Sequence, residues 1–321
     1  MPHRTETAAV GIGSGFERRL LEGRAADMSV RWQAPAASHG VGTSGVERLR
    51  DVCLSGLLRL SVPARARRET GDSQPLRRFL LQEWRCLQMR LCRSVCALSR
   101  ALEELEGARV CSAGTRQLYE ALEEGRVPCT WWPGARTRAP LPLPLPLWLR
   151  YVESTVRLLD EYLHGPVPAA YNLSAFCRPR AFLFSILQQR AREEQRALDT
   201  YCVRAQVLSI FLPPTSPPGN GVYITGLQLH GALWDNRLGL LQDTFSDKPC
   251  SMPMVLFTAE IATETSGSPS PHPQYECPVY LGVESEAVDL TDNNLITYLC
   301  LGSKMDPLVC AQRRVHIVSL L

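Results

Sequence analysis

The period of the apolar residues changes near residue 198, and that change limits the fold more than any other feature. Before it they recur three or four positions apart, as on one face of a helix. In "PLRRFLLQEWRCLQMRLCRSVCALSRALEELEG" the series Leu80, Trp84, Leu87, Leu91, Val95, Leu98, Leu102 and Leu105 forms such a stripe. Pro75 suits a first turn and Gly107 a C-terminal stop. A helix of this length reaches roughly 45 Å at ~1.5 Å per residue, so it is expected to cross between subdomains. The stripe also meets the lower limit for a coiled-coil seam; packing within one chain is the reading preferred. After residue 198 the runs become short and rich in β-branched and aromatic residues: "LDTYCVRAQVLSIFL", "GVYITGLQLHG", "PMVLFTAE", "YECPVYLG", "LITYLCLG" and "RRVHIVSLL". Five or six strands in about 100 residues point to a small antiparallel sandwich or barrel. Helices first and strands last make an α+β arrangement.

The division expected from these patterns has four parts. Residues 1–45, rich in Gly, Ala, Ser and Arg without periodicity, are read as disordered or foreign to the fold. Residues 46–127 are helical and contain the long helix. They begin with "SGVERLRDVCLSGLLRL" and end with "TRQLYEALEEG", where Thr115 is a candidate N-cap and Gly125 a stop. Residues 128–212 continue with the Trp131-Trp132 pair, read as packing anchors. The Leu-Pro repeat of 141–146 is read as an extended polyproline-like connector, with docking on an SH3-like groove as a lesser alternative. Two helices follow, "LWLRYVESTVRLLDEYLHGP", with His164 in its last turn, and "RPRAFLFSILQQRAREEQ", with Pro179 near its start. After the linker "PPTSPPGNG", residues 219–321 carry the β part.

Composition removes several classes of function. Hydrophobic residues make up 45% and charged residues 21%, which is globular. A net charge of +3 gives no case for nucleic acid. Basic excess near the N-terminus and acidic excess after residue 219 read as different solvated faces, or as faces meeting different neighbours in an assembly. No apolar run approaches the ~20 residues that span a bilayer, so no membrane partner is expected. The N-terminus lacks an apolar signal region, so the twelve cysteines are expected to be reduced, and the sequon Asn172-Leu173-Ser174 unused. Cys86, Cys92 and Cys96 lack the further ligands of a metal site and read as a stripe of small core residues. The only lysines are Lys248 and Lys304, neither preceded by Gly, so no G-x-x-x-x-G-K-[ST] loop exists. There is no G-x-S-x-G elbow and no H-E-x-x-H. His230 and His316 lie in strand-like runs and read as structural, and Asp289 with Asp292 as turn chemistry. No catalytic, cofactor-binding or metal-binding residue, and no cofactor, is expected.

The Trp234-Asp235 pair occurs once, so it is no propeller mark, which would need repeats of ~40 residues. The string "GVYITGLQLHGALWD", followed by "MPMVLF" and "YECPVY", resembles the C-terminal end of dynein heavy chains. That family shows G-V-Y-x-x-G-L-x-L-x-G-A-x-W-D, then M-P-V, then Y-x-C-P-V-Y. Gly221, Val222, Tyr223, Gly226, Leu227, Leu229, Gly231, Ala232, Trp234 and Asp235 match, as do Met252, Pro253, Tyr275, Cys277, Pro278, Val279 and Tyr280. Upstream, the long helix resembles the family's P-L-x-x-F-L-x-Q-E start, "LYEALEEGRVPCTWW" its L-x-x-G-x-V-P-x-x-W segment, and "NLSAFCRPRAFLFSILQQRAR" its L-S-G-F-x-x-P-x-A-F-L block. The order of these separated blocks, across roughly residues 44–321, is what makes the match specific. Several positions depart: His230 stands where an acidic or similar residue is usual, Leu233 where Arg is usual, and the last block, W-x-x-R-G-V-A-L-L in the family, is here "LVCAQRRVHIVSLL", without the Trp and with Arg314 in place of Gly.

The resemblance implies AAA+ lid-like and bracing helices, then a small antiparallel β-barrel-like domain, in which two readings of Trp234 stay open, a core anchor or a surface hot spot. It implies a non-catalytic module that caps or stabilises an AAA+ motor ring in microtubule-based movement. The implied partners are the AAA+ ring modules of a dynein heavy chain and, for a full-length parent, dynein intermediate and light intermediate chains and microtubules. The implied location is cytoplasmic or cytoskeletal, including a ciliary or flagellar axoneme. A free-standing interaction adaptor is the alternative.

Overall fold

The computed structural model describes residues 45–60, 74–108, 110, 112–131, 144–244, 246, 248–262, 272–282, 290 and 294–320. The expected disorder of 1–45 lies outside them up to residue 44, as do Trp132, Asp289 and Asp292.

The helical half is built on α2 (Pro75–Leu105), which runs unbroken through the predicted stripe. It buries Phe79, Leu80, Trp84, Leu87, Leu91, Leu98 and Ala101. On one side lies α1 (Gly45–Arg59), where Gly56 sits so close that a Cβ there would meet Leu98 Cδ1 at 3.0 Å. α3 (Ala113–Glu123) packs against both α2 and α1. Its cap is Ser112, whose Oγ accepts the Thr115 N–H at 3.2 Å. The expected cap, Thr115, is therefore already inside the helix, and its hydroxyl donates to Glu104 Oε1 at 2.8 Å. Trp131 is buried against Trp148, ring centroids 5.0 Å apart.

The next helix, α4 (Leu145–His164), begins inside the Leu-Pro repeat. The extended reading of 141–146 is corrected for Leu145 and Pro146. A first turn needs no intrahelical N–H donor, so proline, which has none, is tolerated there, and its fixed φ is already helical. After β1 (Ala170–Asn172), α5 (Pro179–Glu193) packs on α2.

The β half consists of β2 (Tyr201–Val207), β3 (Val222–Thr225), β4 (Leu227–His230), β5 (Leu233–Asp235), β6 (Leu240–Gln242), β7 (Cys250–Ser251), β8 (Val255–Ile261), β9 (Gln274–Leu281), β10 (Leu295–Gly302) and β11 (His316–Ser319). A short helix, α6 (Pro307–Gln312), precedes β11. Among the described residues the strands form a sheet in the order β1-β3-β8-β2, another in the order β10-β9-β11-β4-β7, and a hairpin β5-β6. None closes on itself, so the expected barrel is not formed; the α+β class stands. Nor is the pairing wholly antiparallel. β1 runs parallel to β3 and β11 parallel to β9.

The connectivity splits one predicted strand and joins the two halves. The run "GVYITGLQLHG", read as one strand, is two strands in different sheets, divided at Gly226. β1, from the helical half, supplies an edge of the first sheet, so one apolar core passes from α1 and α2 through Tyr171, Phe176 and Phe182 to Ile224, Phe257 and Ile317.

Candidate functional site

Gly226 is the point where the backbone crosses from one sheet to the other. Its φ of +74° is left-handed, which glycine adopts without strain. A Cβ there would lie 2.5 Å from Asn172 Nδ2 and 2.7 Å from the Leu320 carbonyl oxygen. Those neighbours form a polar clasp. Asn172 Nδ2–H donates to Leu320 O at 2.6 Å, Leu320 N–H donates to Gly226 O at 2.9 Å, and Asn172 Oδ1 accepts the Ser174 N–H at 2.9 Å. The buried hydroxyls of Ser174 and Ser319 are 2.9 Å apart. The Asn172 N–H in turn donates to Tyr162 Oη at 3.0 Å, and Tyr151 Oη–H to Ser174 O at 2.9 Å. Helix α4, strand β1 and the end of β11 are thus joined through one asparagine. The sequon residue Asn172 has a structural task inside the fold.

The Trp-Asp pair forms a hairpin corner. Asp235 Oδ1 accepts the N–H groups of Leu238 and Arg237 at 3.1 and 3.0 Å, and Oδ2 faces Gln242 Nε2 and, at 3.5 Å, Lys304 Nζ. The two backbone N–H groups, with Lys304, hold the carboxyl below the usual carboxylate range. This is the turn chemistry that aspartate performs between two strands. Trp234 is half-buried and packs on the core from its edge, so it lies between the two readings, neither a fully buried anchor nor a wholly exposed side chain. Leu233, where the family has Arg, is 41% exposed.

His230, another departure from the family, has His316 for a neighbour. The two are directly opposed in the β4–β11 pairing. Their rings stack at 4.8 Å with 13° between planes, and Tyr280 meets His316 edge-on at 6.0 Å. Burial lowers both imidazole pKa values, and for His230 the neighbouring His316 adds to the effect. His316 Nδ1 lies 2.6 Å from the Arg314 carbonyl oxygen, to which it donates. Arg314 itself has φ +53°, a left-handed backbone at the place where the family carries Gly.

The remaining residues singled out in the sequence lie apart from one another. His164 ends α4, 3.0 Å from Asp160 Oδ1, and meets Trp84 edge-on. Cys86 and Cys92 are half-buried and Cys96 is exposed, so the stripe of small core residues is corrected. Among the described residues, no three His, Cys, Asp or Glu side chains form a metal-holding group. Sequence reasoning missed two sets of neighbours, the His230–His316 stack and the group Glu83, Cys86 and Cys177. In each, the partners are far apart in sequence and no motif links them.

The family model for the C-terminal domain of dynein heavy chains matches residues 28–319. The protein belongs to this family. It is similar to dynein heavy chain domain-containing protein 1 of Mus musculus, 28% identical over 274 residues, which are 77% of this chain and 6% of the relative. To the Homo sapiens protein of the same name it is 31% identical over 248 residues, 68% of this chain and 5% of that one. To dynein axonemal heavy chain 8 of Homo sapiens it is 28% identical over 243 residues, 74% of this chain and 5% of that one. The sequence thus spans a small fraction of the length of these dynein heavy chain relatives.

Proposed function

We propose that this C-terminal domain of the dynein heavy chain family is a non-catalytic module that caps or stabilises an AAA+ motor ring and serves microtubule-based movement. The observation that carries the reading is the family match across residues 28–319. The axonemal and flagellar relatives point the same way and favour a cytoskeletal or ciliary location. On this reading, residues 46–127 resemble the lid of the last AAA+ module with its bracing helix, while 128–212 and 219–321 form the C-terminal domain proper. No cofactor, nucleic acid or membrane is assigned to it. Intermediate chains, light intermediate chains and microtubules are partners of a full-length parent. ATP hydrolysis is assigned to other parts of such a parent, since this sequence contains no P-loop.

An exposed apolar row supports the reading of a docking role. Ile210, Phe211 and Leu212 are 44%, 52% and 82% exposed. Asn236 Nδ2–H donates to Ser209 O at 3.1 Å and sets this row beside the turn that carries Leu238, itself 49% exposed. Contiguous apolar surface of this kind is characteristic of interfaces.

Co-purification with a dynein ring that lacks its own C-terminal domain tests the reading. Association that is lost in Phe211→Asp/Leu212→Asp supports it. Failure to associate, with a normal circular dichroism spectrum, favours a free-standing adaptor. Saturable ATP binding with turnover by the purified protein would overturn the non-catalytic assignment.

A further inference from the structure

Glu83, Cys86, Arg90 and Cys177 converge where α2 meets the segment leading into α5. Glu83 is fully buried on α2. Its carboxylate accepts the N–H of Cys177 at 2.5 Å and the Nε–H of Arg178 at 3.0 Å. Cys86 lies about one turn further along α2 and Arg90 about one turn beyond that, so the three share a helix face. The thiols of Cys86 and Cys177 hydrogen-bond each other. Both cysteines are half-buried. The helix fixes one sulfur, and the buried carboxylate fixes the backbone that carries the other.

We propose that Cys86 and Cys177 are a peroxide-sensitive dithiol, Cys86 attacking and Cys177 resolving, whose disulfide ties α2 to the segment before α5. The thiolate is the nucleophile, and cationic neighbours and hydrogen-bond donors favour it. The Cys177 hydrogen bond, reinforced by the Arg90 guanidinium, holds Cys86 below the usual thiol range against the effect of its burial. The same hydrogen bond, together with burial, pushes Cys177 up. Other cysteines are poorer candidates. Burial pushes Cys53 up to about 12 and raises Cys277 as well.

The reaction uses one hydroperoxide. The Cys86 thiolate attacks a peroxide oxygen and the O–O bond breaks. This gives a sulfenic acid on Cys86 and a hydroxide (for hydrogen peroxide) that takes up a proton to become water. The sulfur of Cys177 then attacks the Cys86 sulfur. The S–O bond breaks, and the departing hydroxide takes the Cys177 proton as a second water. Two thiols and one peroxide become one disulfide and two waters, with two electrons passing from sulfur to oxygen.

The test uses the reduced full-length protein and hydrogen peroxide, followed by alkylation and peptide mass mapping without reductant. The expected product is a Cys86–Cys177 linked peptide appearing before any other oxidised cysteine. In Cys177→Ser, the expected product is a Cys86 sulfenic acid trapped by dimedone. The unsubstituted protein gives a second readout that no folding defect can confuse. Iodoacetamide at neutral pH should alkylate Cys86 about tenfold faster than Cys96, although Cys96 is the more exposed. Linkage mapped to other cysteines, or Cys86 reacting no faster than Cys96, would overturn the proposal.

Discussion

Arg314 holds a left-handed backbone that costs an L-residue about 1–2 kcal/mol and costs glycine little. Its N–H still donates to the Ala311 carbonyl at 3.0 Å, and its own carbonyl accepts from His316, so the conformation is fixed by both neighbours. Arg314→Gly should therefore raise stability by about 1 kcal/mol in urea unfolding, after allowing for the extra freedom of glycine in the unfolded state. A loss of stability would mean that the exposed guanidinium contributes more than the backbone costs. The His230–His316 stack makes a second prediction. Both imidazoles are held below their ordinary pKa, so the unfolded state binds protons more readily than the folded one. Stability from this pair is present above the unfolded value of about 6.5 and is lost as pH falls from there through the lower values of the folded state. Melting midpoints between pH 7.5 and 5.5 should fall more steeply for the unsubstituted protein than for His230→Gln/His316→Asn. Equal slopes would show that the pair titrates normally. The sequence already marked His230 and Arg314 as departures from the family pattern. That His230 would face His316 could not be read, because strand register is set by sheet pairing and not by any local signal.

The long helix was legible because its stripe persists through all its turns, which no short run can imitate. The division of "GVYITGLQLHG" was not. Alternation continues on both sides of Gly226, and only the left-handed φ and the Asn172 clasp send the two halves into different sheets. Gly226→Ala should destabilise by about 3 kcal/mol, since its Cβ meets an amide and a carbonyl at less than contact distance in a strained backbone. Little change in the midpoint of chemical denaturation would show that the clasp yields. Trp234 lends itself to a parallel measurement. Complete burial would make Trp234→Ala cost roughly 3–5 kcal/mol. At the rim of the core it should cost about 1–2 kcal/mol. The barrel expectation failed for a related reason: strand count and length predict sheets, but closure depends on pairing partners that lie far apart in sequence.

The helical and β halves share a core, an edge strand and the Asn172 clasp, so they should unfold together. Hydrogen exchange at Leu91 in α2 and at Val279 in β9 should lose protection at the same denaturant concentration. Separate midpoints would show that the two halves are independent. The helices-then-strands order was visible in the sequence; the dependence of each on the other was not, because β1 is only three residues long and sits between helices. The order of the five-stranded sheet carries a further consequence. Its middle position belongs to β11, which bridges β9 and β4 and is the last of the described strands in sequence. A ribosome releases residues in order, and here β4 and β9 emerge with the place between them still vacant. Any message that stops short of residue 316 would yield two unjoined sheet fragments with bare edges, a species that chaperones and proteases can distinguish from the finished product.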